Sequence, residues 1–173
     1  MTFAAWSERL MSMSDEVWAR HVNPWSGWSR LTVLPLLALS LWSRVWLGWG
    51  ALLPLALTLA WVWLNPRVFP PPRDLSSWMT RGVLGERIWL DRAAHTLPPR
   101  LVAGCHALTI LSALGALAMA WGLIRLDVVW TVAGMAVAML AKLALVRLMA
   151  VIHDRVVWQR ALAEADSDGA GHR

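Results

Sequence analysis

Tyrosine is absent from this chain, cysteine and lysine each occur once, and phenylalanine occurs twice. The single Cys105 has no internal disulfide partner, so nothing in the covalent chemistry points to an oxidising compartment. Charge is also scarce. Asp, Glu, Lys and Arg make up 16% of residues, against roughly 25% in ordinary soluble domains. The first 30 residues contain no apolar stretch followed by a small-residue cleavage site. No signal peptide is therefore expected to be removed, and the first membrane segment is expected to act as the signal.

Long apolar blocks fill the space that charge leaves. Of 173 residues, 58% are hydrophobic and the mean hydropathy is +0.50. Fourteen tryptophans cluster at the edges of the apolar blocks. An indole is apolar over most of its surface but carries one N–H donor, so it partitions to the membrane–water interface. These features predict an integral membrane protein of all-α class whose solvent partner is the lipid bilayer. A net charge of +5 would suggest nucleic acid in a soluble chain. Here the arginines fall at membrane boundaries, and no nucleic-acid partner is expected.

Two apolar zones, 31–64 and 101–152, are each too long for one crossing at about 20 residues per span and too short for three. Each has a polar break, "SRVWLGWG" in the first and "WGLIRLD" in the second. The pattern predicts four transmembrane helices in two hairpins, over approximately 27–46, 48–64, 101–123 and 128–152. Thirteen basic residues fall in the termini, the mouth of the first span and the central segment, against two in the hairpin turns. That bias places both termini and the central loop in the cytoplasm, with the protein in the cell's inner (plasma) membrane.

The central segment opens with "NPRVFPPPRD", whose four prolines favour an extended path. A short helix capped by Ser76 or Ser77 should follow, and a second over Glu86–Arg92, the whole loop lying against the membrane surface. Residues 1–160 form a single domain in this reading, and 161–173 an irregular, disordered tail.

Asn23 and Pro24 form a helix-start signal, the first as N-cap and the second in the first turn. Trp25 and Trp28 then share a face at headgroup depth, while His21 and Arg30 have no part in that role. The Asn-Pro step recurs at Asn65-Pro66, where it should end the second span. Pro35 and Pro54 lie inside the first two spans and free the carbonyls of Leu31 and Gly50. In the second hairpin, Gly104, Gly115, Gly122, Gly134 and Ala138 form small-residue stripes suited to close helix contact. Lys142 is an amine within the fourth span, a position that marks function or headgroup contact. His21, His95, His106 and His153 share the cytoplasmic side, but no pair has metal-ligand spacing. No metal or cofactor is expected.

The stretches "HVNPWSGWSR", "WLNPRVFPPP", "VLGERIWLDR" and "LAKLALVRLMAVIHDRVVW" together resemble a family of small prokaryotic integral membrane proteins, domain of unknown function 6653, over about residues 16–160. That family opens with His-x-Asn-Pro-x-Ser, continues with Asn-Pro-Arg-x-Phe and Gly-Glu-Arg, and closes with Lys and then Asp-Arg. The matching positions are His21, Asn23, Pro24, Ser26, Asn65, Arg67, Phe69, Glu86, Arg87, Lys142, Asp154 and Arg155. The resemblance implies the architecture and supplies no reaction.

Three functional readings follow. The first is a cytoplasm-facing polar pocket that binds an anionic or phosphorylated lipid or amphiphile. Its binding groups would be Asn23, Asn65, Arg67, Arg87, Lys142 and Arg155, with His21, Glu86 and Asp154 available for proton transfer. The second is an oligomeric transporter or channel subunit built as a homo-oligomer. The third is a non-catalytic structural or partner-binding membrane protein.

Overall fold

A computed structural model describes residues 14–171, with side chains through residue 165. Arg9, Arg173 and the end of the expected tail lie outside the described residues. Every regular element among the described residues is helical.

The chain opens with α1 (Asp15–His21), capped by Ser14, whose Oγ accepts from the Val17 amide. Asn23 then caps α2 (Pro24–Ser29): its Oδ1 accepts from the Trp25 amide at 2.9 Å, and Pro24 occupies the first turn. The same side chain donates from Nδ2 to the Pro70 carbonyl at 2.9 Å, tying the start of the first hairpin to the chain leaving it. A 3₁₀ turn over Arg30–Thr32 separates α2 from α3 (Val33–Trp42). Pro35 explains that interruption, because it lacks the N–H that would have reached the Leu31 carbonyl. Next come the short α4 (Arg44–Leu47), a 3₁₀ turn at Gly48–Ala51, and α5 (Leu52–Val68). Gly48 adopts φ +52°, a conformation other residues reach only with strain.

Three helical segments are long and apolar enough to cross a membrane: Pro24–Val68, Pro99–Arg125 and Val128–Ala165. The sequence reading expected four. The difference lies in the first segment, which counts as one long interrupted helical stretch: α3 has only 10 residues, and α5, with 17, is at the short end for a span. The segment nevertheless doubles back on itself. Ser26 meets Asn65 at 2.9 Å and Ser40 meets Thr58 at 3.0 Å, an antiparallel register. Pro54 sits in the first turn of α5, where it breaks no interior hydrogen bond. Pro66 does not end the helix as expected: α5 continues to Val68, and the extended Phe69 stops it.

The central segment holds one α-helix instead of two, α6 (Trp78–Leu90), followed by a 3₁₀ turn at Arg92–Ala94, and α6 packs across the last helix rather than resting only on a surface. A methyl added at Gly85 would overlap the Met149 carbonyl, and one at Gly82 would overlap Val146. The two glycines therefore permit a contact that no larger residue allows. Val83 packs with Trp18 and Val22, so α1 docks on α6, and Thr80 Oγ1 donates to the Val22 carbonyl at 3.0 Å.

The second hairpin is α7 (Pro99–Arg125) and α8 (Val128–Gly171), joined through Leu126 in the left-handed region. Asp127 Oδ1 accepts from the Trp130 amide at 3.0 Å and starts α8. The small-residue stripes meet backbone to backbone: a methyl on Gly115 would lie 2.5 Å from the Ala138 nitrogen. Helix α8 runs past residue 160, where an irregular tail was expected, through the strong helix formers Ala161, Leu162 and Ala163. The outer faces of the hairpins are apolar, with Leu53, Leu117 and Leu140 all more than 60% exposed. A monomer in water would not tolerate so broad an apolar surface.

Candidate functional site

A cavity of about 250 Å³ lies where the first hairpin, α6 and α8 meet. Its walls are mostly aliphatic, including Leu34, Val62, Met79, Val83, Met139 and Val146. Four polar side chains interrupt them: His21 from the end of α1, Arg30 from the 3₁₀ turn, Glu86 from α6 and Lys142 from α8.

His21 is 1% exposed and is oriented by a chain of hydrogen bonds. Ser29 Oγ donates to the Ser26 carbonyl at 3.2 Å, so it accepts from Asn65 Nδ2 at 2.6 Å. That fixes Asn65 Oδ1 as the acceptor for the Ser26 hydroxyl at 2.9 Å. Ser26 Oγ, its proton committed, must accept from His21 Nδ1 at 3.1 Å. The imidazole is therefore the Nδ1–H tautomer, with Nε2 as its acceptor. Burial, reinforced by the positive charge of Arg30, pushes the His21 pKa down to about 3 and keeps the ring neutral.

Glu86 Oε1 lies 3.6 Å from Lys142 Nζ, within ion-pair range but too long for a strong hydrogen bond. The Lys142 ammonium holds the Glu86 carboxyl below its ordinary range against the upward push of burial, and Arg30 adds to the effect. Glu86 is thus a carboxylate at neutral pH. Arg30 makes no side-chain hydrogen bond or ion pair within reach among the described residues, and acts on Glu86 only through space. The Lys142 side chain is 51% exposed, so the charged end of the cavity is not sealed.

The sequence-derived candidates divide clearly. His21, Glu86 and Lys142 come together in the cavity, and Asn65 supports His21 through Ser26. Asn23 serves as a helix cap and a tie to Pro70. Asp154 lies outside the cavity, paired with Arg81 at 2.8 Å and adjacent to His153 at 3.2 Å. Arg87 pairs with Asp15 at 2.5 Å, joining α6 to α1 on an exposed surface. Arg67 lies over the Trp63 ring at 4.0 Å, and Arg155 is exposed on α8. The histidines do not converge. His95 and His153 line a separate surface groove, and His106 is an exposed residue edge-on to Trp89. Among the described residues no cluster of His, Cys, Asp and Glu could hold a metal ion.

Arg30, which lines the cavity, and Ser26, which bonds to His21, were not among the candidate site residues read from the sequence. The signal for Arg30 was its place at the mouth of the apolar run, past the interfacial Trp25 and Trp28 and without a part in the helix-start signal. Ser26 was marked only as the serine of the His-x-Asn-Pro-x-Ser motif, and its partner Asn65 is 39 residues away.

The profile of the Family of unknown function (DUF6653) matches residues 5–171, nearly the whole chain. The chain belongs to this family. No curated protein and no solved structure matches it. Membership carries no assigned reaction, and the cavity lies within the matched residues.

Proposed function

We propose that this family member is a multi-pass protein of the prokaryotic inner membrane that binds an anionic amphiphile in the cavity between its first hairpin, α6 and α8. The observation that carries the reading is the lining itself. Arg30 and Lys142 supply two cationic groups against the single Glu86 carboxylate and the neutral His21, at one place on a wall that is aliphatic elsewhere, which matches a ligand with an anionic head and an apolar body. Electrostatic attraction selects the head, and burial of the chain supplies affinity without direction.

The reading includes four crossings with cytoplasmic termini. Helix α5, with 17 residues, is about 25 Å long at 1.5 Å per residue, close to the roughly 30 Å of a bilayer core. Arg44, at the tip of the first hairpin, donates to the Leu123 carbonyl near the tip of the second, so the two hairpins reach the same depth. The excess of arginine at the opposite end supports a cytoplasmic site.

Titration of purified protein in a neutral detergent with dansyl-undecanoate, followed by fluorescence, tests binding. Wild-type protein should bind saturably, and Arg30→Gln and Lys142→Gln should each weaken binding about tenfold, the loss of one charge-assisted contact. Equal binding by wild type and both variants would overturn the proposal.

A further inference from the structure

The charges in the cavity say more about its ligand than that it is an anion. His21 is buried, donates from Nδ1 to Ser26, and contributes no charge. Glu86 on α6 cancels one of the two cations, Arg30 and Lys142. From α3 and α5 the lining contributes only aliphatic side chains, among them Leu34 and Val62, so no other titratable group faces the site. The net charge of the lining is therefore a single positive unit.

Resting on the amphiphile-binding reading, we infer that the cavity takes a head group with one negative charge, such as a carboxylate, sulfate ester or phosphodiester, on a single alkyl chain. A monoanion neutralises the lining. A dianion, such as a fully ionised phosphate monoester, leaves one negative charge uncompensated beside the Glu86 carboxylate, and fits better after taking up a proton. The unpartnered Arg30 offers a planar fork for two oxygens, while the long Glu86–Lys142 pair leaves Lys142 able to turn to a ligand. About 250 Å³ is small beside the roughly 300–1,000 Å³ of drug-sized sites, which suits one chain and not two.

Decyl sulfate and decyl phosphate separate charge from chain. Sulfate esters stay singly charged throughout, while a phosphate monoester loses its second proton at about pH 6. Isothermal titration of the full chain in neutral detergent should give pH-independent affinity for decyl sulfate between about pH 5.5 and 8. Affinity for decyl phosphate should fall about tenfold or more over the same range. Glu86→Gln should abolish that fall, because the lining then carries two positive charges. Wild-type titrations alone suffice if the variant does not fold. Decyl phosphate affinity that is flat with pH would overturn the charge selection and leave anion binding standing. Binding of decyltrimethylammonium as tightly as decyl sulfate, or no binding of either anion, would overturn both readings.

Discussion

Glu86 Oε1 and Lys142 Nζ face each other at 3.6 Å across the junction of α6 and α8, 56 residues apart in sequence. One third of the Glu86 side chain and half of that of Lys142 remain exposed, so solvent screens the pair and holds its worth to about 0.5–1 kcal/mol. Removing one partner should cost more than removing both. Lys142→Met leaves the Glu86 carboxylate against an aliphatic wall with only Arg30 to balance it. Thermal denaturation in detergent should therefore show a larger fall in Tm for Lys142→Met than for Lys142→Met with Glu86→Gln. A double variant as unstable as the sum of the singles would mean the two groups are uncoupled.

The buried imidazole sets an acid limit on the fold. The His21 pKa falls from 6.5 in the unfolded chain to about 3 in the folded one, so below pH 6.5 the unfolded state binds the extra proton. The stability it contributes is complete above pH 6.5 and declines as pH drops toward 3, by about 1.4 kcal/mol per pH unit. Glu86, also depressed, adds to the loss once pH falls below its ordinary range of about 4.5. Denaturation midpoints of wild type should stay level from pH 7.5 to about 6.5 and then decline steadily to pH 4.5. His21→Asn keeps an amide donor toward Ser26 and has no proton to gain, so its curve should be flatter between about pH 6.5 and 4.5.

Asn65 holds two arms of the first hairpin together through one buried and one part-buried hydrogen bond. Its Oδ1 accepts from Ser26 at 2.9 Å and its Nδ2 donates to Ser29 at 2.6 Å. Replacing it with alanine leaves the Ser26 hydroxyl without its acceptor and frees the His21 tautomer. Asn65→Ala should destabilise the protein by about 2 kcal/mol, the cost of orphaned buried polar groups. It should also allow the His21 ring to change tautomer, visible as altered ¹⁵N imidazole shifts. A variant of unchanged stability and unchanged ring shifts would refute the chain of hydrogen bonds.

Much of the skeleton was legible because it follows from local chemistry. The Asn23-Pro24 step does cap a helix, and the small residues around Gly115 and Gly134 do bring backbones together. What sequence could not supply was direction around each helix axis. Arg67, Arg87, Asp154 and Arg155 were grouped with His21 and Lys142 by membrane side alone, a distinction that says nothing about which way a side chain turns. In the structure Arg87 and Asp154 turn to local ion-pair partners, and Arg67 stacks on the tryptophan one turn earlier. The division of the central segment into two short helices failed for a related reason. Gly82 and Gly85 lie within a single helix and form its contact surface against the backbone of another.

That contact gives the sharpest stability contrast. A methyl at Gly85 would overlap the backbone carbonyl of Met149, which cannot move without displacing α8. Gly104, also in a helix interior, would place its methyl 3.0 Å from Leu148 Cδ2, the end of a flexible side chain. Gly85→Ala should therefore cost about 1–3 kcal/mol through overpacking, despite alanine's better helix propensity. Gly104→Ala should be neutral or gain up to about 1 kcal/mol. Because α6 carries Glu86, Gly85→Ala should also loosen the cavity and weaken dansyl-undecanoate binding, while Gly104→Ala should leave it intact. Equal stability of the two variants would show that α6 does not sit against α8 at this point.

The doubled-back first segment makes a prediction about membrane topology. If each of its arms crosses, Trp49 in the tight turn and Asp127 in the second turn lie on one side of the bilayer, and Ser76 lies on the other. Single cysteines at these positions, placed in a Cys105→Ser background, can be labelled in intact cells with a membrane-impermeant maleimide. Trp49→Cys and Asp127→Cys should react from outside the inner membrane, and Ser76→Cys only after permeabilisation. Trp49 is 88% exposed, so a failure to label at that position reports its side of the membrane and not burial in the protein. Labelling at 127 without labelling at 49 would mean that the first hairpin dips into the bilayer without crossing it.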